Sequence, residues 1–216
     1  ALHFASWITS LSFTSIAAST TLVTTNPIWV ALISWFWWKE KPKKLTLLGI
    51  AVALTGSIII AFGDRAINKE NFDNSLFGNF LATIGALMAS FYFLFGTQAQ
   101  KLGLNISSYI AIAYTTSALI LLPLPLLFGS SYFGYPNLVY IYVLLMAIVS
   151  QLIGHTSFNW AVKYVSPTLV SLTILFEPIG ASLLGFFLFQ EIPSSSVLTG
   201  GVILLVGVAI GVLDIR

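Results

Sequence analysis

From Ser15 to Trp38 not one side chain carries a charge, and the same holds from Leu45 to Gly63 and from Leu76 to Gln100. About 20 apolar residues in a row, rising about 1.5 Å each, are what a helix needs to cross the hydrocarbon core of a bilayer. Ile106–Phe128 and Leu138–Val162 extend the pattern, parted by the turn-rich stretch Gly129–Asn137. Ser166–Phe189, interrupted by Glu177, and Ser194–Leu213 complete it, and Ala1–Ser12 reads as the end of a further helix. The sequence thus predicts seven spans and a fragment. Composition agrees: 57% of the 216 residues are hydrophobic and 7% charged, against about 25% charged in a soluble domain that must wet its outside. The expected class is an all-α polytopic membrane helix bundle with lipid as its solvent.

Several classes drop out. There is no cysteine, hence no disulfide framework or thiolate metal site, and His3 and His155 are too far apart in sequence to suggest zinc. No metal or cofactor is expected. A net charge of +2 gives no reason to expect nucleic acid. No G-x-x-x-x-G-K-[ST] loop marks an ATPase, and no nucleophile–base spacing stands out. The apolar start at Ala1, without a basic region before it, does not read as a signal peptide.

The charges orient the spans. If the loop Lys39–Lys44 is cytoplasmic, alternation puts Lys39, Lys41, Lys43, Lys44, Lys101, Lys163 and Arg216 on one side, seven of the nine basic residues. Arg65 and Lys69 face the other side, beside Asp64, Glu70 and Asp73. This follows the positive-inside rule and predicts a multi-pass protein of the cell membrane with a cytoplasmic C-terminus. Trp35, Trp37 and Trp38 then belong to an interfacial aromatic belt.

The most specific signal is self-similarity. Asn26–Pro42 parallels Glu177–Pro193 at a constant offset of 151, the separation of Pro27 from Pro178. The register pairs Ser15 with Ser166, Glu40 with Glu191, Pro42 with Pro193, Gly49 with Gly200 and Gly56 with Gly207, without a gap. Five spans fill the second copy, and an odd number turns consecutive copies upside down relative to each other, making an inverted repeat. Residues 1–64 are then the last part of a first repeat of three helices with the first truncated, 65–75 a linker, and 76–216 the second repeat. The register places two further helices and the start of a third upstream of Ala1, for ten helices in a complete protein.

With its Ser-start helix, mid-helix proline, late glutamate and Gly-x6-Gly helix, all duplicated, the chain resembles the EamA family of the drug/metabolite transporter superfamily. The resemblance covers nearly all the chain, which departs from the family in lacking the first two helices. It implies two five-helix repeats and secondary transport of small metabolites, often efflux of amino acids or related compounds.

A carrier of this kind needs a polar site at membrane depth. Glu177 lies near the middle of its span, where a charge costs about 2.5–3.5 kcal/mol on insertion scales. Thr173, Gly180 and Ala181 share its helix face and suggest an interior position. Pro178 has no N–H to offer the carbonyl of Ile174, which leaves an acceptor beside the carboxyl. Glu177 is read either as a solute or proton site or as a neutral, hydrogen-bonded packing group. Its counterpart is Asn26, with Pro27 freeing the carbonyl of Val23, after Thr21, Thr24 and Thr25, whose hydroxyls could equally bond back to their own helix.

Gln151, His155 and Asn159 recur every fourth residue on one helix face. They are read as solute lining or interhelical hydrogen bonding. His3 and Trp7 form a weaker pair, and Tyr114 and Ser90 are further lining candidates. The glycines at 49, 56, 200, 207 and 211 suit close helix packing. Asn105-Ile-Ser107 has the form of a glycosylation sequon on the side predicted to be cytoplasmic.

No Lys or Arg lies deep in a span. That disfavours phosphate and dicarboxylate solutes and leaves neutral, zwitterionic or cationic ones, with a proton as a coupling ion. The alternatives are a non-transporting membrane scaffold and a membrane-embedded enzyme using His155 and Glu177.

Overall fold

The computed structural model describes residues 1–14, 16–65, 75–177, 180, 187 and 195–213, and no strand occurs among them. The helices are α1 (Leu2–Ser10), α2 (Ile16–Val23), α3 (Asn26–Trp38), α4 (Lys44–Arg65), α5 (Ser75–Lys101), α6 (Ile106–Leu121) and α7 (Leu124–Leu127). α8 (Asn137–Leu145) runs through a π-helical stretch, Met146–His155, into α9 (Thr156–Ala161), and α10 (Pro167–Ile174) and α11 (Ser195–Leu213) follow. Helix satisfies every backbone N–H and C=O within its own segment, as lipid requires. Leu76–Lys101, Ile106–Leu127 and Asn137–Ala161 are each long and apolar enough to cross a bilayer.

The span expected as one helix from Ser15 to Trp38 is two, α2 and α3. Thr25 N–H donates to Leu22 O at 3.1 Å and Ile28 N–H to Thr25 O at 3.0 Å, a tight turn that separates them. Pro27 therefore stands in the first turn of α3, where a missing N–H leaves nothing unsatisfied. The hydroxyls of Thr24 and Thr25 bond back to Thr20 O (2.9 Å) and Leu22 O (2.6 Å). The second copy breaks at the same register. α10 ends at Ile174, 151 residues after Val23, and Leu175 and Phe176 donate to Leu172 O and Thr173 O at 3.2 and 3.1 Å. α4 and α11 also begin 151 residues apart.

The chain gathers into two units, one of Ala1 and Phe93–Ser166, the other of Leu2–Tyr92 and Pro167–Arg216. In the second, Ala31, Ile50, Ala53, Leu172, Leu175, Leu204 and Val208 form a core. Through it run α4 and α11 with their backbones in contact. A Cβ at Gly49 would lie 2.5 Å from Gly211 N and 2.7 Å from Gly207 O, and one at Gly56 2.5 Å from Gly200 O and Leu204 N. Ala53 touches Gly207 between these points. Numbers rise along one helix as they fall along the other, so the two are antiparallel. Two equivalent helices of opposite direction are what an inverted repeat requires, and the expected packing role of the glycines is borne out. Small residues also line α5: Ala82, Ala86 and Ala89 are buried, and a Cβ at Gly78 would meet Phe13 at 2.9 Å.

In the other unit, α6 opens with Asn105 as its cap, the side-chain oxygen accepting from Ser108 N–H at 2.8 Å. That accounts for the asparagine of the sequon. Tyr109 packs against Gly96 of α5, and Phe93 meets Phe158 edge to face with ring centres 6.2 Å apart. From Leu126 to Ser150 every residue is exposed, and the apolar helical part, from Leu138 on, is a surface that lipid can cover at no hydrophobic cost.

Candidate functional site

Each unit carries a polar cluster, and sequence reading found part of each. In the unit of Phe93–Ser166 the structure brings together Tyr114 of α6 and Asn159 of α9. Asn159 Nδ2 donates to Tyr114 Oη at 3.4 Å, and the same hydroxyl lies 3.2 Å from Thr156 Oγ1. Asn159 is 1% exposed, so its polar atoms must be met inside the protein. Gln100 closes the cluster, its Nε2 donating to Asn159 O at 3.0 Å. Gln100 Oε1 is buried and has no partner among the described residues. Gln100 and Thr156 were not foreseen. Gln100 sits beside Lys101, where a polar side chain reads as the wet end of a helix, and Thr156 lies off the four-residue stripe.

The rest of the stripe is less enclosed. His155 meets Phe158 edge to face at 6.2 Å, and both His155 and Gln151 are half-buried. Both fall in the π-helical segment Met146–His155, a geometry that occurs mostly as short bulges, often at functional sites.

The second cluster lies where α1, α2, α3 and α5 meet. His3 donates through Nδ1 to Gly85 O at 2.9 Å, a carbonyl being able only to accept. Its ring stacks on Trp7, centres 5.7 Å apart and planes 22° from parallel. Trp7 Nε1 is buried and lacks a partner among the described residues. Below it Ser10 Oγ accepts or donates at 2.6 Å to Ser19 Oγ, both serines fully buried. Asn26, at the start of α3, is 2% exposed. Its backbone carbonyl accepts from Ser90 Oγ at 3.1 Å, while Ser90 Oγ also lies 2.8 Å from Ala86 O. Asn26 Oδ1 has no partner among the described residues.

Glu177 lies just past the break that ends α10 and is exposed, as are Thr173 and Gly180. Thr173 Oγ1 bonds back to Val170 O at 2.7 Å, and no described residue stands within 4 Å of a Cβ at Gly180. α10 ends before the carboxyl, so Thr173 and Glu177 do not lie on one continuous helix. Pro178 and Ala181 lie outside the described residues.

Comparison with known proteins places this arrangement. An uncharacterized transporter of Clostridium kluyveri is 26% identical over 202 residues, covering 92% of this chain and 64% of that protein. The uncharacterized transporter YdfC of Bacillus subtilis is 25% identical over 207 residues, covering 94% and 64%. The chain therefore spans a little under two thirds of the length of these relatives. A solved crystal structure, 18% identical, has the same fold with a TM-score of 0.82, covering 99% of this chain and 73% of that one. The family model of EamA-like transporters matches residues 1–62 and 76–213. The protein is a membrane protein, and the chain belongs to the EamA-like transporter family.

Proposed function

We propose that this chain is the greater part of a secondary transporter that moves small neutral, zwitterionic or cationic solutes, amino acids or their relatives among them, outward across the cell membrane. The observation that carries the reading is the antiparallel crossing of α4 and α11, equivalent helices that meet through glycines. A repeat of opposite orientation gives a carrier two similar halves, each able to open to one side of the membrane. The two repeats are residues 1–64 and 76–216, joined by 65–75, and the basic loops at Lys39–Lys44 and Lys101 face the cytoplasm.

Roles follow chemistry. Glu177 is the proposed proton or cation site, being the acidic group at membrane depth in its span. Tyr114 and Asn159 in one unit, and Trp7 and Asn26 in the other, are proposed solute contacts, and so are Gln151 and His155 on the helical stretch that leads to Asn159. Pro27 stands in the first turn of α3 beside Asn26, and Pro178, next to Glu177 in sequence, is its counterpart by the repeat offset. No enzymatic step is invoked, since transport by this route needs no nucleophile. Flux of labelled solutes into vesicles carrying the complete protein tests the proposal. Saturable movement supports it, and conversion of a solute without movement supports the enzyme instead.

A further inference from the structure

Two buried polar atoms in the Leu2–Tyr92 unit are left without partners among its described residues, one a donor and one an acceptor. Trp7 Nε1–H can only donate, and Asn26 Oδ1 can only accept. Their helices converge on one short stretch of α5. A Cβ at Gly85 would lie 3.3 Å from Trp7 Cβ and 3.4 Å from Val23 Cγ2, so α1 and α2 both reach α5 at that point. Asn26 follows Val23 by one turn and is held to the same helix through Ser90, five residues on and about 7.5 Å along the axis. Ser90 shares its hydroxyl with Ala86 O, which fixes the start of α3 against α5 while leaving the Asn26 side-chain oxygen unused. The His3 ring, anchored on Gly85 O, covers one face of the indole.

Leaving such atoms dry is costly, and native proteins rarely do it without a reason. The charge inventory narrows what they take. Between Leu2 and Trp38, and between Leu76 and Gln100, there is no Asp, Glu, Lys or Arg. From these two stretches an anion would meet a single unused N–H and no cation, and an ammonium group a single unused carbonyl and no carboxylate. Neither would be compensated for leaving water.

Resting on the transporter reading above, we infer that Trp7 and Asn26 form a paired donor–acceptor site for an uncharged carboxamide-like group of the solute. The C=O of that group accepts from Trp7 Nε1–H, and its N–H donates to Asn26 Oδ1. Ser90 is a positioning residue.

The test uses the protein in lipid nanodiscs with 15N-labelled tryptophan, the Trp7 indole resonance being identified by its loss in Trp7→Phe. Acetamide, acetate and methylammonium are titrated as probes. A saturable shift of the Trp7 resonance with acetamide and not with the two ions supports the site. Asn26→Leu, which keeps an apolar side chain of similar size, should weaken that response about tenfold, the loss of one hydrogen-bond partner. Should Asn26→Leu fold poorly, Ser90→Ala serves in its place, with a smaller loss expected. An equal or larger response to acetate or methylammonium overturns the assignment. So does the absence of any saturable response, which would leave both atoms to bound water. A protein that answers acetamide but moves no solute in vesicles keeps this site and loses the transport reading; one that transports without answering loses this site alone.

Discussion

Gly56 lies against the carbonyl of Gly200, and Gly49 lies against the carbonyl of Gly207. Because Gly200 is Gly49 moved by the repeat offset of 151, and Gly207 is Gly56 moved by the same amount, these are one contact seen from either copy. Only a two-fold relation between antiparallel helices returns a contact to itself in this way. The glycines permit it, since a side chain at Gly49, Gly56 or Gly207 would press on backbone of the facing helix.

Packing at this crossing should be intolerant. Gly56→Leu is expected to destabilise the protein by roughly 1–3 kcal/mol or to block its folding, because a Cβ alone would stand 2.5 Å from Gly200 O. Gly180→Ala, where no described residue stands within 4 Å, should change stability by less than about 0.5 kcal/mol. Thermal unfolding of both variants in the same detergent checks the contrast.

The Tyr114–Asn159 pair should behave as one unit. Tyr114→Phe removes a hydroxyl lying 3.2 Å from Thr156 Oγ1 and 3.4 Å from Asn159 Nδ2 and should cost about 1 kcal/mol. Asn159→Ala should cost roughly 2–3 kcal/mol, since it leaves a cavity as well. The double variant should lose less than the sum of the two, as neighbours in one network do. Strict additivity in a denaturation series would show the hydrogen bond contributes nothing.

Much of this was legible in the sequence, and the failures have physical causes. Charge-free runs located the helices because lipid tolerates little else, and the offset of 151 carried over to the starts of α4 and α11. The break at Thr24–Thr25 is not legible in the sequence, because a mid-span proline is equally compatible with a continuous helix that frees one carbonyl; the chain restarts the helix so that Pro27 falls in its first turn. Asn159 and Tyr114 were picked out as polar residues at depth, but their pairing was not, since no local spacing links residues on separate helices. Gln100 stayed hidden because a glutamine before a lysine looks like a solvated helix end, whereas its amide reaches Asn159 O.

Orientation is a separate expectation. A cysteine at Lys43 or Lys101 should react with an impermeant thiol reagent only from the cytoplasmic side. One at Phe133, 84% exposed in the loop between α7 and α8, should react only from outside. Labelling of Lys43→Cys and Phe133→Cys from the same side would contradict the proposed crossing of α4 to α7.

The central claim is that a carboxyl at Glu177 couples solute movement to a proton in an inverted-repeat carrier. Its most direct measurement is flux of labelled neutral, zwitterionic and cationic solutes into vesicles containing the complete protein, with and without an imposed pH gradient, for the native form and for Glu177→Gln. The account predicts saturable, gradient-dependent flux of at least one such solute, and a Glu177→Gln form that is folded but no longer responds to the gradient. Native protein that is folded and moves none of them, or a Glu177→Gln form with unchanged rate and pH profile, would contradict it.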